Sequence, residues 1–179
     1  MRRFAALTIF ALILAACADK PAPGPASGPA EPQLDQTRMG VYEGLARELV
    51  GTEKIEWKKI VIVSELCANA GGAEEPKGCD DSLTAAEQND LSQRLADLGS
   101  PISFVEDPTP LYDEEWMSGA PETIVLRLGT ITDHGAGVEV GGSFGCGGLC
   151  GSGTTYLLEE TGTAGDWEVI GTTGPAWIA

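Results

Sequence analysis

Hydrophobic residues recur at helical spacing in two segments of the first half of this chain, and only strand patterns follow after residue 100. The first segment has Asp35 or Thr37 as a suitable N-cap and Gly51 after its last turn; its apolar stripe consists of Tyr42, Leu45, Ala46, Leu49 and Val50. The second segment begins at the capping box of residues 84–87 and ends before Gly99; its stripe consists of Leu91, Leu95 and Leu98. Two helices are therefore predicted.

Short β-branched or alternating runs predict the strands. Residues 60–63, Ile-Val-Ile-Val, lack a helical period and indicate a central strand covered on both faces, and residues 102–105 indicate a short one. Two hairpins follow, formed by residues 124–132, 138–140, 154–160 and 167–171. Because short turns favour antiparallel pairing, the sequence predicts an α+β fold with two helices packed on an antiparallel sheet of five or six strands.

The order helix, strand, helix and then a strand meander resembles NTF2-like and cystatin-like folds. That resemblance implies a cone-shaped domain. The length of 179 residues suits one ordinary domain, and with 42% hydrophobic residues the chain is too apolar to be wholly disordered.

The first 17 residues have the pattern of an export signal. Arg2 and Arg3 supply a positive start, and residues 4–14 form an apolar run too short to span a bilayer comfortably. The apolar run ends in the sequence Leu-Ala-Ala-Cys at residues 14–17, which resembles the bacterial lipobox. The resemblance implies that the Cys17 sulfur receives a diacylglycerol, that cleavage occurs just before Cys17, and that fatty acyl chains such as palmitate hold the mature protein on a membrane.

Three regions are predicted along the chain. Residues 1–16 form the lipoprotein signal peptide, residues 17–36 form the lipidated cysteine and a proline-rich tether, and residues 37–179 form a single α+β domain. Fully extended, the tether reaches at most about 60 Å at roughly 3.1 Å per residue. In a cell with two membranes, the sorting rule of lipoproteins implies the outer membrane, facing the periplasm, because Ala18 rather than aspartate follows Cys17.

Net charge restricts the partners. The chain carries a formal net charge of -16, and removal of Arg2 and Arg3 with the signal peptide makes it about two units more negative. Nucleic acids and anionic lipid headgroups require clustered Lys and Arg, so neither is an expected partner. The expected partners are the membrane, through the lipid, and an unidentified protein, envelope polymer or small ligand. No cofactor is predicted.

Four cysteines remain once Cys17 is lipidated, an even number in an oxidising compartment. Three pairings are possible. Local bridges between Cys67 and Cys79 and between Cys146 and Cys150 are favoured, since each closes a glycine-containing loop that can bend to disulfide geometry; cross-pairing is the alternative. Two thiols four residues apart could instead hold a soft ion such as copper(I), but a metal site is not predicted here.

Glycine is concentrated in residues 141–153, which are interpreted as a bulged, disulfide-braced crossover and as a candidate binding loop with Ser143, Phe144 and Leu149. Residues 141–145 also match the Gly-x-Ser-x-Gly pattern of serine hydrolases. A nucleophile elbow needs a helix after the serine and a histidine later in the chain, whereas the one histidine, His134, precedes Ser143 and is predicted in a turn. No catalytic residue is assigned.

Residues 112–116, Tyr-Asp-Glu-Glu-Trp, place aromatic side chains beside carboxylates. Such a cluster could bind a sugar or a divalent cation or, with paired carboxylates, hydrolyse a glycoside. An exposed acidic loop anchored by its tryptophan is the preferred interpretation.

These patterns favour a lipid-anchored, exported envelope protein whose domain is a non-catalytic binding or scaffold module. The alternative is an envelope enzyme, a hydrolase, or a thiol-based metal carrier centred on residues 141–153.

Overall fold

Two helices lie on one face of a six-stranded sheet in the computed structural model, which describes residues 35–112, 122–148, 150–162 and 165–179. A second, two-stranded sheet lies beside it. The elements in chain order are α1 Gln36–Thr52, β1 Lys59–Val63, β2 Glu65–Leu66, β3 Asp81–Ser82, α2 Ala85–Arg94, β4 Ile102–Val105, β5 Thr123–His134, β6 Gly137–Gly147, β7 Cys150–Glu160 and β8 Trp167–Ile178.

Side-chain caps determine where both helices begin. The Asp35 carboxylate accepts a hydrogen bond from the backbone N–H of Arg38 at 3.2 Å, which caps α1. Thr84 and Glu87 form the reciprocal capping box of α2, and Gly99 adopts a left-handed φ of 77° after the 3₁₀ turn that follows it. Both predicted helices are confirmed. Among the described residues, neither helix is long and apolar enough to cross a bilayer.

The six-stranded sheet has the order β4-β1-β5-β6-β7-β8 and mixes parallel with antiparallel pairs. The α+β class with helices on a six-stranded sheet is confirmed, and the predicted antiparallel pairing holds from β5 to β8. In contrast, β1 pairs in parallel with both β4 and β5. The reason is that α2 lies between β1 and β4 in the chain, and a strand that returns through a helix comes back parallel.

Alternation along β1 and β5 divides the buried residues between two faces of the sheet. The helix face packs Ile60, Ile62, Ile124 and Leu126 against the stripe of α1, where Tyr42, Leu45 and Leu49 are fully buried or nearly so. The opposite face, here called the loop face, carries a smaller cluster of Val61, Val63 and Val125. Val105, the last residue of β4, and Leu111, from the connection between β4 and β5, pack on that cluster.

Residues 141–153 lie mainly in strands, which corrects the prediction of a glycine-rich crossover loop. They form the ends of β6 and β7 and the tight connection between them, with a register irregularity between Gly145 and Gly147. Glycine has a weak strand propensity, so the segment showed no strand period. These glycine-rich strands are held in the sheet by their pairing with outer neighbours, because β6 also pairs with β5 and β7 also pairs with β8.

Candidate functional site

A cleft of about 310 Å³ opens on the loop face, between the sheet and the loop that connects β2 to β3. Its volume is at the small end of ligand sites in proteins. We call it the sheet cleft. Its lining includes Arg127, Ser143 and Trp177 on the sheet and Asn69, Glu74 and Glu75 on the loop.

The three sheet residues Arg127, Ser143 and Trp177 belong to one row of paired residues that crosses four strands. Arg127 of β5 is directly opposite Ser143 of β6, Ser143 is opposite Gly153 of β7, and Gly153 is opposite Trp177 of β8. Paired residues project from the same face of a sheet. The small Ser143 therefore lies next to Arg127 in this row and lines the cleft, whereas the Trp177 indole and the loop cover Gly153.

The loop is held close to the sheet because glycine occupies the points of contact. The Trp177 indole lies over this part of β7 and donates a hydrogen bond from Nε1 to the Gly71 carbonyl at 3.1 Å. A Cβ on Gly153 would lie 2.6 Å from the Ser143 Cβ and 2.9 Å from the Gly71 oxygen. A side chain at either glycine would push the loop away, so these residues set the spacing of the cleft walls.

The loop itself is braced at its ends and in its middle. A disulfide joins Cys67 to Cys79. The Asn69 side-chain amide donates to the Glu75 carbonyl at 3.0 Å, and its carbonyl oxygen accepts from the Lys77 backbone N–H at 2.6 Å. Glu74 forms an ion pair with Lys77 at 2.8 Å, with both side chains largely exposed. The Glu75 carboxylate makes no ion pair with any described residue. These bonds fix the backbone that carries the two glutamates.

Arg127 differs from the other arginines of the described ranges. Arg38, Arg47 and Arg94 each form ion pairs with two carboxylates. Arg127 is half-buried and forms none with any residue that the structure describes. Its charge does act at a distance. Hydrogen bonds from Thr109 hold the pKa of Asp107 below its usual value, and the field of Arg127 adds to that effect.

Another cleft, also of about 310 Å³, is lined by residues of α1, β3, β5 and β6. It includes Arg38, whose guanidinium pairs with Asp81 at 2.9 Å and with Glu87 at 3.1 Å. Arg38 also lies over the Tyr42 ring, 5.7 Å from its centroid. This cluster joins α1 to β3 and α2, and its charges are used in packing.

The structure separates the predicted binding residues. Ser143 lines the sheet cleft and is 5% exposed. Phe144 borders the same cleft, but it belongs to the core of the helix face and is 3% exposed. The reason is strand alternation, which sends consecutive side chains to opposite faces. Leu149 lies outside the described residues, as do Cys17 and residues 113–116; Tyr112, the first residue of the acidic aromatic cluster, borders the sheet cleft.

The cysteines of the domain pair locally, as favoured from the sequence: Cys67 with Cys79 and Cys146 with Cys150, at Cα–Cα distances of 4.0 and 5.1 Å. The sulfurs that a copper(I) site would use at residues 146 and 150 are thus bonded to each other. The Glu65 carboxylate lies within 4.8 Å of the Cys67 and Cys79 sulfurs, but disulfide sulfurs are not thiolate ligands either.

Ser143 and His134 are far apart on the same hairpin. His134 is the last residue of β5, is opposite Gly137, and contacts the Glu139 carboxylate at 3.3 Å. Ser143 lies six residues further along β6 than Gly137, which corresponds to about 20 Å at the rise of a strand. A general base must lie within hydrogen-bond reach of its nucleophile, so these two residues do not form a catalytic pair in this arrangement.

Arg127 and Trp177 were not identified as site residues from the sequence. A signal for Arg127 was present, because it is the one charged residue between the apolar neighbours Leu126 and Leu128 of a central strand. A charge in that position must face a wet surface or a ligand. Trp177 gave no such signal, since its role depends on the pairing of β8 with β7.

The chain was compared with protein-family models, with curated proteins and with solved structures, and none of the three comparisons finds a match. The likeness to NTF2-like and cystatin-like folds therefore stays a prediction, and the function is argued from the site alone.

Proposed function

We propose that this chain is an exported lipoprotein, anchored by lipid on Cys17, whose domain binds a ligand in the sheet cleft and catalyses no reaction. The observation that carries the binding role is the cleft itself: a preformed hollow whose wall is held by the Cys67–Cys79 disulfide and the Asn69 clamp. Walls braced in this way lose little conformational freedom when a ligand binds. The residues that line the cleft include charged and aromatic side chains suited to recognition.

The anchor rests on the lipobox at residues 14–17 and the proline-rich tether after it. In a cell with two membranes, we place the domain on the periplasmic side of the outer membrane. A hydrolase or a thiol-based metal carrier is the less favoured function, because Ser143 has no histidine beside it and the cysteines are paired.

Lipidation is tested by growing cells with a clickable palmitate analogue and fractionating their membranes. The wild-type chain is expected to take up the label and to sediment with membranes, and Cys17→Ser to lose the label. Ala18→Ser is the matched control and keeps both properties. In a cell with two membranes, Ala18→Asp is expected to move the labelled protein to the inner membrane. Label on the Cys17→Ser chain would refute the proposed anchor.

Binding without turnover is tested on the mature chain that carries Cys17→Ser. A library of small polar and aromatic fragments is screened by two-dimensional NMR, and the expected hits shift the amides of Ser143 and Gly145 and the indole of Trp177. Ester, peptide and glycoside substrates are expected to remain intact. Turnover that Ser143→Ala or His134→Ala abolishes would overturn the non-catalytic assignment, and a library with no hit at the cleft would overturn the binding role.

A further inference from the structure

The sheet cleft contains one positive and one negative group that do not neutralise each other. Arg127 lies on its sheet side and Glu75 on its loop side, and neither makes an ion pair with any residue in the described ranges. Partly buried arginines elsewhere in this domain are each matched by two carboxylates. An unmatched guanidinium in a cleft is a site for an external anion.

The shape of a guanidinium favours a carboxylate as that anion. Its two parallel N–H groups match the two oxygens of a carboxylate in a bidentate pair. A phosphate would suit the same fork, but it brings close to two negative charges into a cleft already lined by Glu74 and Glu75. Repulsion from these glutamates penalises a dianion more than a monoanion.

Glu75 provides the complementary partner for a positive group on the same ligand. The neighbouring Glu74 is already paired with Lys77, whereas the Glu75 carboxylate is unpaired among the described residues and lines the cleft. Asn69 donates to the Glu75 backbone carbonyl at 3.0 Å, which fixes the backbone from which the exposed carboxylate extends. An ammonium group on the ligand would complete the charge balance of the cleft.

Beside Arg127 the sheet side of the cleft is lined by a small polar and an aromatic side chain. Ser143 lies between Arg127 and Trp177 in the row of paired residues and lines the cleft with its small polar side chain. The indole of Trp177 gives an apolar surface to pack against. The volume of about 310 Å³ admits a molecule of roughly dipeptide to tripeptide size.

We infer that the sheet cleft binds a short peptide with both ends free, with its carboxylate on Arg127, its ammonium group toward Glu75 and its body over Ser143 toward Trp177. This inference rests on the proposed binding function and names the ligand class for the same cleft.

The test titrates trialanine into the mature Cys17→Ser chain and follows the Ser143 amide and Trp177 indole signals by NMR. Two blocked peptides, trialanine amide and N-acetyl-trialanine, separate the two ends. The amide is expected to bind at least about tenfold more weakly because it lacks the carboxylate, and the acetylated peptide about threefold more weakly because Glu75 is exposed to solvent.

Variants assign each end to its residue. Arg127→Gln is expected to weaken trialanine about tenfold or more and to leave the affinity of the amide unchanged; Glu75→Gln should weaken trialanine about threefold and leave the acetylated peptide unchanged. Arg127→Lys keeps the positive charge but loses the two parallel N–H groups of the guanidinium, so its affinity for trialanine is expected to lie between those of wild type and Arg127→Gln. It replaces Arg127→Gln in the test if that variant does not fold. Lys54→Gln removes an exposed positive charge outside the cleft and is the matched control.

The outcomes separate this inference from the proposed function. Equal affinity of trialanine and its amide, or of wild type and Arg127→Gln, would overturn the peptide assignment, as would the absence of trialanine binding. If fragments from the library still shift the cleft signals in any of those cases, the binding function stands and its ligand is of another class. If no fragment does, both fail together.

Discussion

At the scale of single residues, the sheet cleft depends on positions where no side chain fits. Gly71 and Gly153 bring the loop and the Trp177 indole down to the sheet backbone, and a methyl group at either position would overlap with neighbouring atoms. The glycines of this segment therefore serve close packing of backbone on backbone. Their positions explain why so many of them occur in strands that would otherwise be weakened by glycine.

Replacing Gly153 with alanine is expected to reduce the free energy of unfolding by about 2 kcal/mol, since the new Cβ would lie 2.6 Å from the Ser143 Cβ and 2.9 Å from the Gly71 oxygen. Gly171→Ala in β8 is the matched control, because nothing lies within 4 Å of its Cβ, and it should be neutral or stabilising by up to about 0.5 kcal/mol. Urea denaturation of both variants measures the difference. Equal stabilities would refute the close-contact account.

Tyr42 is a residue whose ionisation opposes folding at high pH. Burial raises its pKa well above the ordinary value, and its hydroxyl donates to the Gly129 carbonyl at 3.1 Å. The folded state therefore holds the phenolic proton above pH 10 while the unfolded chain releases it, so stability falls as pH rises through the unfolded pKa.

Between pH 8 and pH 11 the wild type is expected to lose about 1.4 kcal/mol more than Tyr42→Phe, which has no proton to release. Urea denaturation at both pH values measures this difference. Tyr42→Phe should be the less stable protein at pH 8, because it lacks the hydrogen bond to Gly129. A gap between the two proteins that does not narrow with pH would contradict a buried, neutral Tyr42.

At the scale of elements, local signals predicted each helix well and the sheet only in part. Local sequence is sufficient to predict the caps at Asp35 and Thr84 and the strand at residues 60–63. The structure has all three. The parallel placement of β1 between β4 and β5 depends on where the chain goes through α2, which hydrophobic spacing alone does not state.

The candidate site was less predictable than the elements, since the sheet cleft depends on register. Ser143 could be singled out from its motif, but the row from Arg127 to Trp177 joins residues 50 positions apart through three strand pairings. To predict that these side chains line one cleft, one must know the strand order, the register of each strand pair and the position of the disulfide-closed loop on the sheet.

The pairing of β7 with β8 places two like charges opposite each other. Glu159 and Glu168 are direct partners in the ladder, and both are exposed. Like charges in this position are unfavourable, so Glu168→Lys is expected to stabilise the protein by about 0.5 kcal/mol. The gain should shrink in 0.5 M salt, where the Debye length is only about 4 Å.

Glu65→Lys is the control for that change. It alters the net charge equally, but its partner in the β2–β3 pair is the uncharged Ser82. Thermal denaturation at low salt should separate the two variants, with Glu168→Lys the more stable. Equal shifts would mean that overall charge, and not the cross-strand pair, decides the effect.

At the scale of the whole molecule, the proposed lipid anchor and the acidic protein would have opposite tendencies toward a membrane. The chain has 27 acidic and 11 basic residues, and two of the basic residues lie in the predicted signal peptide. Bacterial and other cellular membranes with anionic headgroups repel such a surface. Under the proposed function, acyl chains on Cys17 supply the attraction at about 0.8 kcal/mol per buried methylene, and the tether separates the acidic domain from the headgroups.

This opposition predicts how the mature chain partitions onto vesicles. Without lipid, as Cys17→Ser, it should not sediment with vesicles of phosphatidylcholine or with vesicles that also contain phosphatidylglycerol. Lowering the salt concentration should not make it sediment either, because its net charge is negative. The lipidated chain, extracted from host membranes and reconstituted, should remain on both compositions at low and at high salt, since burial of methylenes does not depend on ionic strength in this range. The two samples differ only at Cys17, so the comparison isolates the lipid. Binding of the unlipidated chain to the anionic vesicles that salt reverses would reveal a basic surface patch and contradict the account in which the anchor alone holds this protein on its membrane.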